Sequence, residues 1–536
     1  MTDLEIQNEY KPLNIKDVAR KINLESIECY GDYKAKINSN KSYNDKSNLI
    51  LVTSINPTPL GEGKTTVSIS LNDALNSLGV NSILCLREPS MGPVFGLKGG
   101  ATGGGYAQVY PMSDINLHFT SDIHAITYAN NLLCAAIDSH IYNGNILNIK
   151  KILFNRCIDI NDRSLRNVEI NGNETHFTIT AASEMMSILT LSRSVDDLRK
   201  RIDNIIIAVD SNNNYIKAKS LNITGALMCI LKDAIKPNLV QSLEGNPVII
   251  HSGPFANVSI GCNSLLATFN ASNYADYIIE EAGFGADLGA EKFFDIKCRD
   301  NLNPKACVVV VTIKALKYHG GCIIDDVKKE NTDYIKKGLN NLYKHIDSIK
   351  NVFNLNLVVA INKYDTDTTL ELDFIKNELE KNNIEYSVCE GYTSGSIGSI
   401  NLAKKVLDLC KLDNKFKCAY NLDDDLFDKI DKVAKLVYKA SKVNYKDSVI
   451  DKINNLSDEF KNYPICIAKT PYSLSSDSKN LLCDNDYTLD VTDIEIKSGA
   501  KFIIVYTGKI LTLPGLGARP NYENIDILND NIVGIF

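Results

Sequence analysis

Thr58-Pro59-Leu60-Gly61-Glu62-Gly63-Lys64-Thr65-Thr66 sets two glycines, a lysine and three threonines at the spacing of a phosphate-binding loop. Gly61 and Gly63 let backbone N–H groups turn inward around phosphate oxygens, and a helix beginning at Lys64 adds its partial positive charge. Lys64 would reach the β- and γ-phosphates of a nucleotide, and Thr65 would ligate its Mg²⁺. Thr58, Gly61, Glu62, Gly63, Lys64, Thr65 and Thr66 are the expected nucleotide-binding residues. Thr58 stands where the usual pattern has its first glycine, so this is a variant loop. The bland alternative is a glycine-rich turn with a solvated lysine. Alone, the loop implies a bound nucleoside triphosphate such as ATP.

A second cluster begins at Arg87-Glu88-Pro89-Ser90 and continues into Lys98-Gly99-Gly100-Ala101-Thr102-Gly103-Gly104-Gly105-Tyr106. Arg87 directly follows the apolar run 82–86. In open α/β sheets ligands bind at such strand ends, and a guanidinium there suits a carboxylate or phosphate. Five glycines in residues 98–105 lose much backbone entropy on folding. Either the chain passes close to a ligand there, or it is a surface loop. Asp122 precedes the helical stretch 123–141 and reads either as a helix cap or as a cation ligand. His118 and His124 lie six apart, a poor spacing for one helix face, and no HExxH occurs.

These residues need a scaffold. β-branched runs at 49–54, 82–86, 205–210, 247–251, 307–313, 357–362, 464–468 and 502–506 read as strands, several of them apolar throughout, as in a buried parallel sheet. Helical stretches at 64–78, 264–271, 333–349, 370–382 and 400–409 alternate with them. The fold class expected is α/β: a P-loop-containing, doubly wound, mainly parallel sheet in a large N-terminal domain, plus two smaller α/β domains. The charged segment 424–458 reads as a helical connector.

Composition bounds the rest. Hydrophobic residues make up 44% of the 536 and charged residues 23%, the balance of a globular chain with a real core. The net charge is −7 with no strongly basic stretch, so a nucleic-acid partner is not expected. The longest apolar run, 306–313, is far short of the roughly 20 residues a membrane helix needs. The acidic start is unlike a signal peptide, so a cytoplasmic location is expected. Fourteen cysteines without a CxxC pair read as reduced, packed thiols.

Two blocks carry a resemblance: Gly96-Leu97-Lys98-Gly99-Gly100-Ala101-Thr102-Gly103-Gly104-Gly105-Tyr106 and Val311-Thr312-Ile313-Lys314-Ala315-Leu316-Lys317-Tyr318-His319-Gly320-Gly321. Together they resemble the two signatures of the formate–tetrahydrofolate ligase (formyltetrahydrofolate synthetase) family. Thr102 replaces the usual Ala, and Lys314 the usual Arg. Stretches 57–66, 116–124, 283–299, 469–475 and 507–516 extend the likeness over nearly the whole chain, at the length of the ligase alone.

The resemblance implies that ATP phosphorylates formate to formyl phosphate, and that N10 of tetrahydrofolate then attacks the formyl carbon. The products are 10-formyltetrahydrofolate, ADP and phosphate. Formate is a poor electrophile while it carries a full negative charge, so charge neutralisation by Lys64, Mg²⁺ and Arg87 fits the first step. Preorganised donors fit the oxyanion of the second. By the same resemblance Lys64 and Arg87 are catalytic, and Lys98, Gly99, Gly100, Gly103 and Gly104 surround formyl phosphate. A monovalent cation, K⁺ or NH₄⁺, takes Glu88 and Asp122. The family stacks the pterin between Phe and Trp. This chain has no Trp, and alignment puts Tyr364 and Tyr392 there, with Cys389 the alternative to Tyr392. Phe294 is either a folate contact or core. The domains expected are 1–360 (nucleotide), 361–455 (folate) and 456–536, in a homotetramer. A catalytically silent relative and an unrelated P-loop ATPase are the competing readings. Thr102, Lys314 and the missing Trp motivate the first of these, and the phosphate loop alone the second.

Overall fold

The computed structural model describes residues 2–38, 41–96, 102–170, 172–483, 486–508, 510–528 and 531–535. Among them, twelve strands join one sheet. In chain order these are β1 (Ile27–Cys29), β2 (Ala35–Ile37), β3 (Asn48–Ser54), β4 (Ser82–Leu86), β5 (Gly103–Gly104) and β6 (Ala107–Tyr110). They continue as β7 (Asn238–Ser242), β8 (Pro247–Ile250), β9 (Tyr277–Glu281), β10 (Pro304–Val311), β11 (Leu357–Asn362) and β12 (Tyr386–Cys389). The spatial order is β1-β2-β7-β8-β4-β9-β3-β10-β11-β12, with β6 beside β7 and β5 beside β6. From β8 to β12 every neighbouring pair is parallel.

The helices that position the site are α1 (Asp3–Glu9), α2 (Lys64–Ser77), α3 (Asp122–Tyr142), α4 (Leu265–Tyr274), α5 (Ile313–His319), α6 (Thr332–Asp347) and α7 (Ile400–Lys411). Successive strand residues enter opposite cores. Ile50 and Val52 of β3, with Val308 and Val310 of β10, pack with Val67 and Leu71 of α2 and Val406 of α7. Leu49 and Leu51, with Cys307 and Val309, pack with residues of α3, α4 and α6. Helices therefore cover both faces, which is why these strands are apolar at consecutive positions. The structure is a mixed α/β fold around a large, mainly parallel sheet. Among the described residues no helix is long and apolar enough to cross a membrane.

The strand read at 247–251 ends at Ile250, and the one read at 307–313 runs from Pro304 to Val311. β9 was invisible to the apolar pattern because it ends in Glu280-Glu281. Glu280 is tolerated inside because Lys297 Nζ lies 2.7 Å from it, with both side chains fully buried. β9 lies between β3 and β4 and so separates the strand before the phosphate loop from the strand before Arg87. The boundary expected at 360 falls within β11, which is hydrogen-bonded to both β10 and β12. The segment expected to be a helical connector is broken instead. Helix Leu426–Lys432 and the π-turn Val433–Val437 are followed by strand Lys442–Tyr445 and helix Asp447–Asn454. Near the C-terminus β13 (Ile465–Ala468), β14 (Asp493–Lys497) and β15 (Phe502–Tyr506) form a separate three-stranded sheet.

Asn56, just past β3, ties this outer sheet to the main one. Its Nδ2 donates to Asp287 Oδ1 at 3.0 Å and to the Pro471 carbonyl at 3.1 Å. Its Oδ1 accepts from Asn341 Nδ2 at 2.9 Å and His345 Nε2 at 3.1 Å, and its carbonyl accepts from His319 Nε2 at 2.7 Å. Burial holds the His345 imidazole down at about 4, so it stays neutral. Removing Asn56 strands several buried polar groups at once. Asn56→Ala should lower unfolding stability by about 3 kcal/mol, read from the urea midpoint by circular dichroism.

Candidate active site

The phosphate loop owes its shape to two side chains of its neighbours. Gly63 has φ +67°, and a Cβ there would lie 2.3 Å from Asn362 Nδ2. Asn362, the last residue of β11, donates to the Glu62 carbonyl at 3.1 Å. The buried Glu62 carboxylate accepts the Thr58 N–H at 2.8 Å and the Thr312 hydroxyl at 3.1 Å. Burial pushes this carboxyl up against those hydrogen bonds. Thr312 also caps α5, accepting from Ala315 N–H at 3.0 Å. The second signature block thus buttresses the loop 58–66. Thr58 Oγ1 accepts the Leu60 N–H at 3.2 Å, so the residue in place of the usual glycine closes the turn.

Half-buried Lys64 donates to Ser54 Oγ at 3.2 Å. Arg87 donates to the Pro254 carbonyl at 2.9 Å, and its guanidinium lies along Gly283, where a Cβ would come within 2.6 Å of Nη2. Burial lowers both pKa values, and the Glu281 carboxylate opposes this in each case. Glu281, the last residue of β9, has a buried Oε2 without a hydrogen-bond partner. Two cations and one under-satisfied carboxylate therefore gather at the ends of β3, β4 and β9.

The glycine block divides. Lys98, Gly99 and Gly100 lie outside the described residues. Gly103 and Gly104 form β5, and a Cβ on Gly103 would meet the Ala107 carbonyl at 2.2 Å. One on Gly105, whose φ is +58°, would meet the Tyr392 carbonyl at 2.0 Å. These glycines are required by the packing of the hairpin itself.

Tyr364 stands beside the phosphate loop, its Oη 3.5 Å from a Cβ built on Gly63. Lys314 Nζ lies 3.9 Å above its ring centroid, and burial pushes its hydroxyl up to about 12. Tyr392 is 48% exposed just past β12, against Gly104. Cys389 is fully buried with Leu402 and Val406, so of the two alternatives only Tyr392 faces solvent. Phe294 is fully buried too. Its ring centroid is 4.5 Å from that of Phe353 and 5.5 Å from that of Phe416, which gives it to the core.

Asp122 is not the helix cap. Ser121 precedes α3, and the Asp122 carboxylate accepts from Lys36 Nζ at 2.6 Å on both oxygens and from Asn238 Nδ2 at 2.8 Å. Its charge is matched inside the protein. Glu88 differs: its Oε2 is buried and unpartnered, and burial together with Asp122 pushes its carboxyl well up. A monovalent cation therefore fits Glu88, while Lys36 already occupies the carboxylate of Asp122. His118 and His124 do meet, Nδ1 to Nε2 at 2.7 Å with stacked rings, because His118 lies in the loop before α3 and not on it.

Glu281, Asn362 and Lys36 went unnoticed in the sequence. Glu281 was hidden with its strand. Asn362 ends a strand that was recognised, a position at which any polar residue could have been examined. Lys36 is 86 residues from Asp122 and carries no local signal.

The sequence model of the family described as formate–tetrahydrofolate ligase matches residues 1–536. A curated protein of Campylobacter concisus (strain 13826), named formate–tetrahydrofolate ligase, is 47% identical over 539 residues, covering 98% of this chain and 98% of its own length. Gly63→Ala should weaken ATP binding by at least about tenfold, since the left-handed φ and the Asn362 contact together oppose a side chain. Isothermal titration against unchanged far-UV dichroism checks this.

Proposed function

The chain belongs to the formate–tetrahydrofolate ligase family, and on that premise we propose that it joins formate to tetrahydrofolate through formyl phosphate, coupled to cleavage of ATP to ADP and phosphate, giving 10-formyltetrahydrofolate. The observation that carries this is the pair Lys64 and Arg87, brought to the ends of β3 and β4 on either side of β9, with no ion pair within 4.0 Å among the described residues. Such cations are placed for anions that arrive from solution.

Lys64 takes the transferring phosphoryl group, held by a loop whose N–H groups begin α2. Arg87 takes the carboxylate of formate and then the charge that grows on the formyl oxygen as N10 attacks. Glu62 acts through the loop and needs no contact with nucleotide. Mg²⁺ carried in with ATP would supply further charge neutralisation. The Thr65 hydroxyl and the unpartnered Glu281 carboxylate are the groups that fit it. Glu88 fits the monovalent cation.

The pterin lies between the Tyr364 and Tyr392 rings, beside the phosphate loop and the glycine hairpin. Tyr supplies the flat face that stacking requires. Lys314 covers one face of Tyr364, so the pterin would stack on the other. A cytoplasmic homotetramer completes the proposal, on the family resemblance.

Lys64→Ala should lower formate-dependent ADP release by about 10²–10³-fold without lowering the melting temperature; turnover within tenfold of the parent would remove Lys64 from phosphoryl transfer. Tyr392→Ala should raise the tetrahydrofolate KM by about tenfold, the scale of one lost stacking partner, and leave the ATP KM in place. Steady-state kinetics with each substrate varied separates the two effects.

A further inference from the structure

The short helix α1 reaches the candidate site through one carboxylate. Thr2 and Glu5 form a capping box around its first turn: Thr2 N–H donates to Glu5 Oε2 at 2.7 Å, and Glu5 N–H to Thr2 Oγ1 at 3.3 Å. This fixes Asp3 as the first helical residue. Asp3 Oδ1 accepts the Gly105 N–H at 2.8 Å and the Tyr392 hydroxyl at 2.9 Å. The Asp3 carbonyl accepts from Gln108 Nε2 at 2.8 Å, and Tyr106 N–H donates to the Tyr392 carbonyl at 2.9 Å. One oxygen thus joins three segments far apart in sequence: α1, the β5–β6 hairpin and the turn after β12.

The backbone around Tyr392 is held by Ser394 N–H donating to the Glu390 carbonyl at 3.0 Å and Ser396 N–H to Glu244 Oε1 at 2.7 Å, whereas the Tyr392 hydroxyl is tied to Asp3. Tyr392, Thr393 and Ser394 are all exposed. A cavity of about 480 Å³ opens beside α1 between Tyr10, Tyr106, Glu244 and Thr393. An exposed ring would rotate unless its hydroxyl were tied, and ordering it on binding would weaken affinity.

We propose that Asp3 is a positioning residue for the folate slot: its carboxylate holds the Tyr392 ring and the glycine hairpin in the arrangement that receives the pterin. This rests on the stacking role given to Tyr392 above. Asp3 does not touch substrate. Its effect belongs in folate affinity, with the ATP and formate steps left alone.

The test uses the full chain with Asp3→Ala, Asp3→Asn, Tyr392→Phe, Tyr392→Ala and the double variant Asp3→Ala/Tyr392→Phe. Asp3→Ala and Tyr392→Phe should each raise the tetrahydrofolate KM about five- to tenfold, with ATP and formate KM within about twofold. The double variant should be no worse than Asp3→Ala alone, because that change already removes the bond that Tyr392→Phe loses. Asp3→Asn keeps Oδ1 as an acceptor and should return the folate KM to within about twofold of the parent. An unchanged folate KM in Asp3→Ala, or three KM values raised alike, overturns the proposal; so does a strictly additive double variant. If Tyr392→Ala raises the folate KM while Asp3→Ala does not, only the role of Asp3 falls. If Tyr392→Ala also leaves it unchanged, the placement of the pterin falls as well.

Discussion

A half-buried lysine and arginine without a bonded acid are unfavourable in the free protein, and the strand ends are built around that constraint. The nearest carboxylates are kept from cancelling them. Glu62 is spent on the Thr58 N–H and the Thr312 hydroxyl. Glu281 opposes the loss of charge on Lys64 and Arg87 without a hydrogen bond to either. An anion entering between them would offset the partial desolvation of both cations.

Holding side chains in that state needs a stiff frame, and the frame is polar as well as apolar. Asn362 and Thr312 come from β11 and the cap of α5, yet both bear on the phosphate loop. Asn56 does the same one step outward, joining β3 to α5, to α6 and to the segment after β13. Asn56 itself is fully engaged, while its partners Asn341 and His319 each keep one buried polar atom without a hydrogen bond. The region of Tyr392 is built otherwise, with its ring exposed and its hydroxyl held by Asp3.

Much of this was legible in the sequence, for identifiable reasons. β4, β11 and β15 have the bounds their apolar runs predict, because strands covered on both faces leave no room for polar residues. The strand–loop–helix turn at 58–66 was legible because its glycines, lysine and following helix are contiguous. β9 was not, since its charged end is neutralised by a lysine brought in by a different element. The glycine block was half legible. Its composition signalled close approach, but only the fold shows that for Gly103 and Gly105 the approaching atoms belong to the protein itself. Asp122 illustrates the general limit. A carboxylate before a helix suggests a cap or a metal, and the amine that claims it lies in another strand.

The account stands or falls on coupling among three substrates at one set of strand ends. The most direct measurement is phosphate release from ATP and Mg²⁺ with formate and tetrahydrofolate omitted in turn, while 10-formyltetrahydrofolate is followed by absorbance. The expected result is phosphate release that requires both, in step with the formylated folate. Steady ATP hydrolysis indifferent to formate and folate, or none with all substrates present, would contradict it.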